Sequence, residues 1–183
     1  MPDVVLLSGS ASPHSRSTAL LLHAQAWLAG RGLEATLLPL ADLPALDLLH
    51  ARYDSPAFAG PKALVAGARG LVVATPVYKA SYTALLKAFL DILPQHGLDG
   101  KAVLPIANGG SPAHLLMIDF ALKPVLSVLG ATQLLQGVYA VDDQARVSPT
   151  GELWMHDELR ERLVRGLEAL EREVRSRAPG HAG

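Results

Sequence analysis

The chain has 183 residues, half of them hydrophobic, with 16 Lys and Arg against 17 Asp and Glu for a net charge of −1. That length suits one domain with one sizeable core, and so balanced a charge gives no bulk attraction to nucleic acid or an anionic membrane, which points to a small-molecule partner. The absence of cysteine excludes disulfides, thiolate metal sites, Cys-based phosphatase loops and redox thiols, so any redox chemistry needs a cofactor.

The first apolar run, Val4 to Leu7, reads as a strand. It leads into Gly9-Ser10-Ala11-Ser12-Pro13-His14-Ser15-Arg16-Ser17-Thr18, which opens an amphipathic helix from about Ser17 to Ala29. Hydroxyls, a guanidinium and the free N–H groups of a helix N-terminus are together what a phosphate dianion needs in place of water. The stretch lacks the third glycine of the dinucleotide fingerprint, and no Gly-Lys-Ser/Thr follows that would make it a triphosphate loop. Taken alone it also reads as a Ser-rich loop capped by Ser15 or Ser17.

Gly30 and Gly32 end the helix, and Glu34 to Leu38 is the second strand, followed by a Pro- and Leu-rich connection through Tyr53. A helix over Pro56 to Ala68 precedes the strand Gly70 to Thr75, which Pro76 stops. Tyr82 to Leu93 is helical, Lys101 to Ala107 is the fourth strand with Asn108-Gly109-Gly110 as its exit turn, and the fifth strand lies within Thr132 to Ala140.

The last helix begins near Leu153 and carries Leu159, Leu163, Leu167, Leu170 and Val174 on one face; Trp27 and Trp154 both fall in predicted helices. Residues 1–175 form a single domain, with fraying from Arg175 and a disordered tail over 176–183. The seven scattered histidines predict no metal site, and the absence of a signal-like N-terminus or a spanning apolar run predicts a cytoplasmic protein.

Strands that are apolar on both faces and alternate with helices imply a parallel sheet covered on both sides. Five such units in this length fit a flavodoxin-like α/β sandwich of strand order 2-1-3-4-5, with the ligand beyond the carboxyl ends of strands 1, 3 and 4. After strand 3 comes Thr75-Pro76-Val77-Tyr78-Lys79-Ala80-Ser81-Tyr82, whose proline and aromatic ring suit a flat heterocycle. Asn108-Gly109-Gly110-Ser111-Pro112 after strand 4 offers close backbone approach, so that a bulky side chain added at Gly109 would meet the ring or force the turn open.

With those stretches in view, the sequence resembles the NADPH-dependent FMN reductases, and within them the alkanesulfonate-assimilation type. The resemblance rests on Gly9-Ser10 with Ser15-Arg16-Ser17, LHARYDSP at 49–56, VATPVYKASYTALL at 73–86, Gly109-Gly110, and AHLLMIDFALKPVL at 113–126, and it fades beyond Val141. It implies FMN and NADPH as cofactors and release of reduced FMN to a partner monooxygenase. It also implies that Ser10, Ser15, Arg16, Ser17 and Thr18 hold the phosphate. Pro76, Val77, Tyr78 and Lys79 would line the ribityl chain and ring, with Asn108, Gly109 and Gly110 at the pyrimidine edge.

No triad, carboxylate pair or metal cluster stands out, which agrees with hydride transfer between bound cofactors and no protein acid or base. A quinone or azo-compound reductase with fixed FMN and a flavodoxin-like electron carrier are the alternatives. The carrier is disfavoured by the charge of −1 and 5% aromatic content.

Phe120 stands where the resembling reductases carry a tyrosine in a π-bulge, and Pro124 lacks the N–H that would bond its carbonyl, a reason for irregularity there. Asp119 and Lys123 are placed to pair. The helix over 113–129 spreads His114, Leu115, Leu116, Ile118, Ala121, Leu122, Val125, Leu126 and Leu129 around much of its surface, which predicts an oligomer interface, and the resemblance implies that dimers pair into a homotetramer.

Overall fold

The structure, a computed structural model, describes residues 1–12 and 14–177. Strands β1 (Val4–Ser8), β2 (Ala35–Pro39), β3 (Gly70–Pro76) and β4 (Ala102–Gly109) lie in the order β2-β1-β3-β4, all parallel. This is the expected flavodoxin-like sheet. Alternate residues face opposite sides: Leu6, Val72 and Leu104 pack against helices α1 (Arg16–Ala29) and α6 (Asp157–Ser176), while Leu7, Leu71 and Val103 meet the other layer. That layer holds α2 (Ala45–Leu49), α3 (Ala59–Gly67), α4 (Ala84–Asp91) and α5 (Lys123–Val128). Phe58 and Phe89 are fully buried within it, and truncating either to alanine costs about 3–5 kcal/mol.

The single fifth strand expected within 132–140 is two short ones, β5 (Gln133–Leu134) and β6 (Val138–Val141), both beside β4. The carbonyl of Val103 accepts from Leu135, so Pro105, two residues on, turns its missing N–H toward the same neighbour. Gly137 marks the break, where an added Cβ would lie 2.5 Å from Ile118 Cγ2.

The helix expected to start near Leu153 starts later. Leu153–Met155 is strand β8, antiparallel to β7 (Ala145–Val147), and Trp154 therefore sits on a hairpin. The run Leu-Trp-Met is too short to show a period, and the helical pattern begins only at Asp157. Helix α6 continues through Arg175 to Ser176, and the Arg177 guanidinium beyond it donates to the carbonyl of Gly100. The rest of the predicted tail, 178–183, lies outside the described residues.

Residues Ile118–Leu122 form a π-helical turn in which the N–H of Lys123 reaches back five residues to Ile118. With Pro124 unable to donate to Phe120, the turn widens at the expected place. Asp119 and Lys123 pair at 2.6 Å. Among the described residues no helix is long and apolar enough to cross a membrane.

Candidate functional site

The carboxyl ends of β1, β3 and β4 open onto a cavity of about 550 Å³, within the range of small-molecule sites. Ser10, Ser12, His14, Ser15 and Arg16 line it from the β1–α1 loop, Pro76 and Tyr78 from the end of β3, Asn108 from the end of β4, and Arg146 and Val147 from β7. It lies at the topological switch point, where the connections from β1 and β3 leave on opposite sides of the sheet.

The loop that begins the site is built by its own side chains. Ser15 caps α1 by accepting from the Thr18 N–H at 3.1 Å, and Ser10 accepts from the Ser12 N–H at 3.2 Å. Among the described residues the N–H groups of Arg16 and Ser17 have no hydrogen-bond partner, as expected in a first helical turn. The Arg16 guanidinium meets Asp142 Oδ1 at 2.5 Å, which orients it at the cavity wall.

Hydrogen bonds then lock the three loops together. The buried Ser17 hydroxyl donates to Asn108 Oδ1 at 2.5 Å, and the Val77 N–H donates to the Asn108 carbonyl at 2.8 Å. Thr83, which caps α4, donates its hydroxyl to the Gly9 carbonyl at 2.6 Å. A Cβ at Gly9 would lie 2.9 Å from Leu86 Cβ, so only glycine lets α4 approach this closely.

Of the residues singled out from sequence, Ser10, Ser15, Arg16, Pro76, Tyr78 and Asn108 line the cavity together. Ser17 and Thr18 stand behind it: Ser17 braces Asn108, and the Thr18 hydroxyl bonds Ser8 Oγ at 2.8 Å. Val77 packs into a small core with Met117, Ile118 and Tyr139. Lys79 occupies the tip of a tight turn closed by mutual Tyr78 and Ser81 backbone bonds, in which Lys79 and Ala80 have φ of 50° and 64°.

Gly109 and Gly110 follow Asn108 at the exit of β4. A Cβ at Gly109 would meet Tyr139 Oη at 2.7 Å and Val77 Cβ at 3.2 Å, so a side chain there would force the turn open. Gly110 is exposed beside Asp142.

Sequence reasoning did not name Ser12, His14, Arg146 and Val147 among the lining residues, nor Asp142, which pairs with Arg16. Asp142 is 126 positions from its partner Arg16, and Arg146 lies on a hairpin that shows no period. No local signal marks either.

The chemistry available is the capture of a phosphorylated, partly flat ligand. Helix N-terminal N–H groups, serine hydroxyls and a guanidinium suit a phosphate, and Pro76, Tyr78 and Asn108 offer apolar surface and an amide to a ring. These residues and this volume fit FMN.

Comparison with known proteins agrees. The family model for NADPH-dependent FMN reductases matches residues 2–146. An FMN reductase (NADPH) of Pseudomonas putida is 50% identical over 182 residues, covering 97% of this chain and 92% of its own length. One of Escherichia coli is 50% identical over 141 residues, 77% of this chain and 74% of its own. The apo form of an NADH:FMN oxidoreductase, EMOB, superposes with a TM-score of 0.82 at 37% identity, over 98% of this chain and 92% of that one.

Proposed function

The chain belongs to the NADPH-dependent FMN reductase family, and on that premise we propose that FMN is its substrate at the cavity, reduced there and released to a partner monooxygenase. When bound, FMN accepts the hydride that NADPH carries and so supplies the redox chemistry. The protein binds and orients.

In this reading Ser10, Ser15 and Arg16, with the first N–H groups of α1, hold the phosphate. Ser17 and Thr18 stiffen that loop from behind. Pro76 and Tyr78 line the ring and ribityl chain, Val77 and Lys79 shape the turn that presents Tyr78, and Asn108, Gly109 and Gly110 border the pyrimidine edge. The observation that carries the reading is the meeting of the α1 N-terminus with the ends of β3 and β4 at one cavity, locked by the Ser17–Asn108 bond.

Tyr78 is 57% exposed on the rim and leaves the cavity open, which supports a flavin that exchanges rather than one sealed in. In this reading the reduced flavin goes to a monooxygenase of the alkanesulfonate-assimilation kind, which the resemblance to those reductases supports, and the protein works in the cytoplasm. Residues 1–175 act as one domain.

Leu116, Phe120 and Val128 are 55%, 77% and 75% exposed around the π-helical turn, and a second copy covers this face, with dimers pairing into a tetramer.

The test is purification without added flavin. A colourless protein that reduces added FMN with NADPH and passes it to a monooxygenase is expected. A protein that stays yellow through gel filtration would instead be the fixed-flavin reductase of quinones or azo compounds. Light scattering at the 19.3 kDa monomer mass, with or without FMN, would overturn the assembly.

A further inference from the structure

Two guanidiniums line the cavity, and they are held differently. Arg16 is paired with Asp142 at 2.5 Å. Arg146 is exposed on β7 with its guanidinium carbon over the Trp154 ring, 5.6 Å from the centroid, while Trp154 meets His156 edge-on with centroids 5.0 Å apart. Among the described residues Arg146 has no carboxylate partner and its side chain makes no hydrogen bond. A guanidinium held beside an aromatic ring, with no carboxylate or hydrogen-bond partner, keeps its N–H donors available to an anion, and a phosphate can take two of them at once.

The cavity thus has two anion-seeking features on separate elements. In the reading above the α1 N-terminus with its serines and Arg16 seats one phosphate, and Arg146 lines the same cavity from the β7–β8 hairpin. FMN carries one phosphate. NADPH carries a diphosphate, which NADH shares, and a monophosphate on the adenosine ribose, which NADH lacks. The stretch matched by the family model ends at residue 146, inside β7, so most of the hairpin lies beyond what the family model covers.

We propose that Arg146, braced by Trp154, binds the ribose 2′-phosphate of NADPH and sets the preference for NADPH over NADH. The proposal rests on the flavin-reductase reading of the same cavity. Arg146 is a specificity residue and takes no part in hydride transfer.

The experiment measures kcat/KM for NADPH and for NADH at saturating FMN in the wild type, Arg146→Ala and Arg146→Lys, together with FMN and riboflavin dissociation constants. The wild type favours NADPH, and Arg146→Ala lowers the NADPH-to-NADH ratio by about 10- to 100-fold, the loss of one charge-assisted pair. Arg146→Lys recovers part of the ratio, since it keeps the charge without the fork. A wild type without preference, or a ratio unchanged in Arg146→Ala, overturns the proposal.

Equal losses with both dinucleotides would move Arg146 to the shared diphosphate and overturn it as well. A loss confined to FMN relative to riboflavin would make Arg146 a second ligand of the flavin phosphate, also against the proposal. Failure of the wild type to reduce FMN with either dinucleotide would bring down the reductase reading itself, a result distinct from these.

Discussion

The two walls of the cavity are built by opposite means. The β1–α1 loop is stitched by bonds spanning two or three residues, Ser12 to Ser10 and Thr18 to Ser15, and is anchored to β4 through Ser17 and Asn108. Facing it, the β7–β8 hairpin has three-residue strands that pair only with each other and rest on α1. An isolated two-stranded ribbon is marginal by itself, so this wall takes its order from the rest of the fold. A wall that supplies its own bonds is suited to fixing a ligand common to every turnover. A wall that borrows its order can differ between relatives without disturbing that ligand.

The largest effect should come from the stitched wall. Arg16→Ala removes a charge-assisted partner and leaves the Asp142 carboxylate beside the phosphate seat, so FMN binding should weaken about 10- to 100-fold while riboflavin, which has no phosphate, is almost unaffected. Paired titrations decide it: an equal loss for both flavins removes Arg16 from the phosphate. Set beside Arg146→Ala, the pair of variants tests the contrast directly, since one should move the flavin ratio and the other the dinucleotide ratio. Both variants moving the same ratio would erase the distinction between the walls.

Next in size is the cap. Ser15→Ala leaves the Thr18 N–H without its acceptor at the start of α1, which should lower stability by about 1 kcal/mol and Tm by roughly 2–4 °C for a chain of this length. It should weaken FMN as well, because the same turn presents the phosphate donors. Unchanged melting with weakened FMN would show that the loop is held by Ser17 and Asn108 rather than by its cap.

The smallest effect concerns the helix between the walls. His23 on α1 is half-buried, and burial together with the Arg160 guanidinium on α6 holds its pKa below the ordinary value of about 6.5. Folding therefore favours the neutral ring. This contribution is present above about pH 6.5 and is lost as pH falls through the lower folded value. In denaturant titrations at about pH 7.5 and about pH 5, His23→Gln should lose less stability than the wild type between the two. Identical losses would place the acid sensitivity elsewhere.

Much of this molecule follows from the chain read alone, because the deciding forces act locally. Runs such as Val4 to Leu7 and Gly70 to Thr75 demand a sheet covered on both faces, Ser15 marks a helix start, and Pro124, four residues after Phe120, announces the irregular turn around Phe120. From those signals came the strand order and the three loops at one end of the sheet, and the family resemblance named six of the residues that line the cavity there. Tertiary structure alone decided the rest. The split of the fifth strand needed Pro105 and Ile118 brought beside Gly137, and the hairpin needed Leu153 to meet Val147. The partner of Arg16 lay 126 residues away. Periodicity and capping report on neighbours within a turn or two of chain, whereas a charge pair or a wall of a cavity depends on which distant segments the packed core brings together.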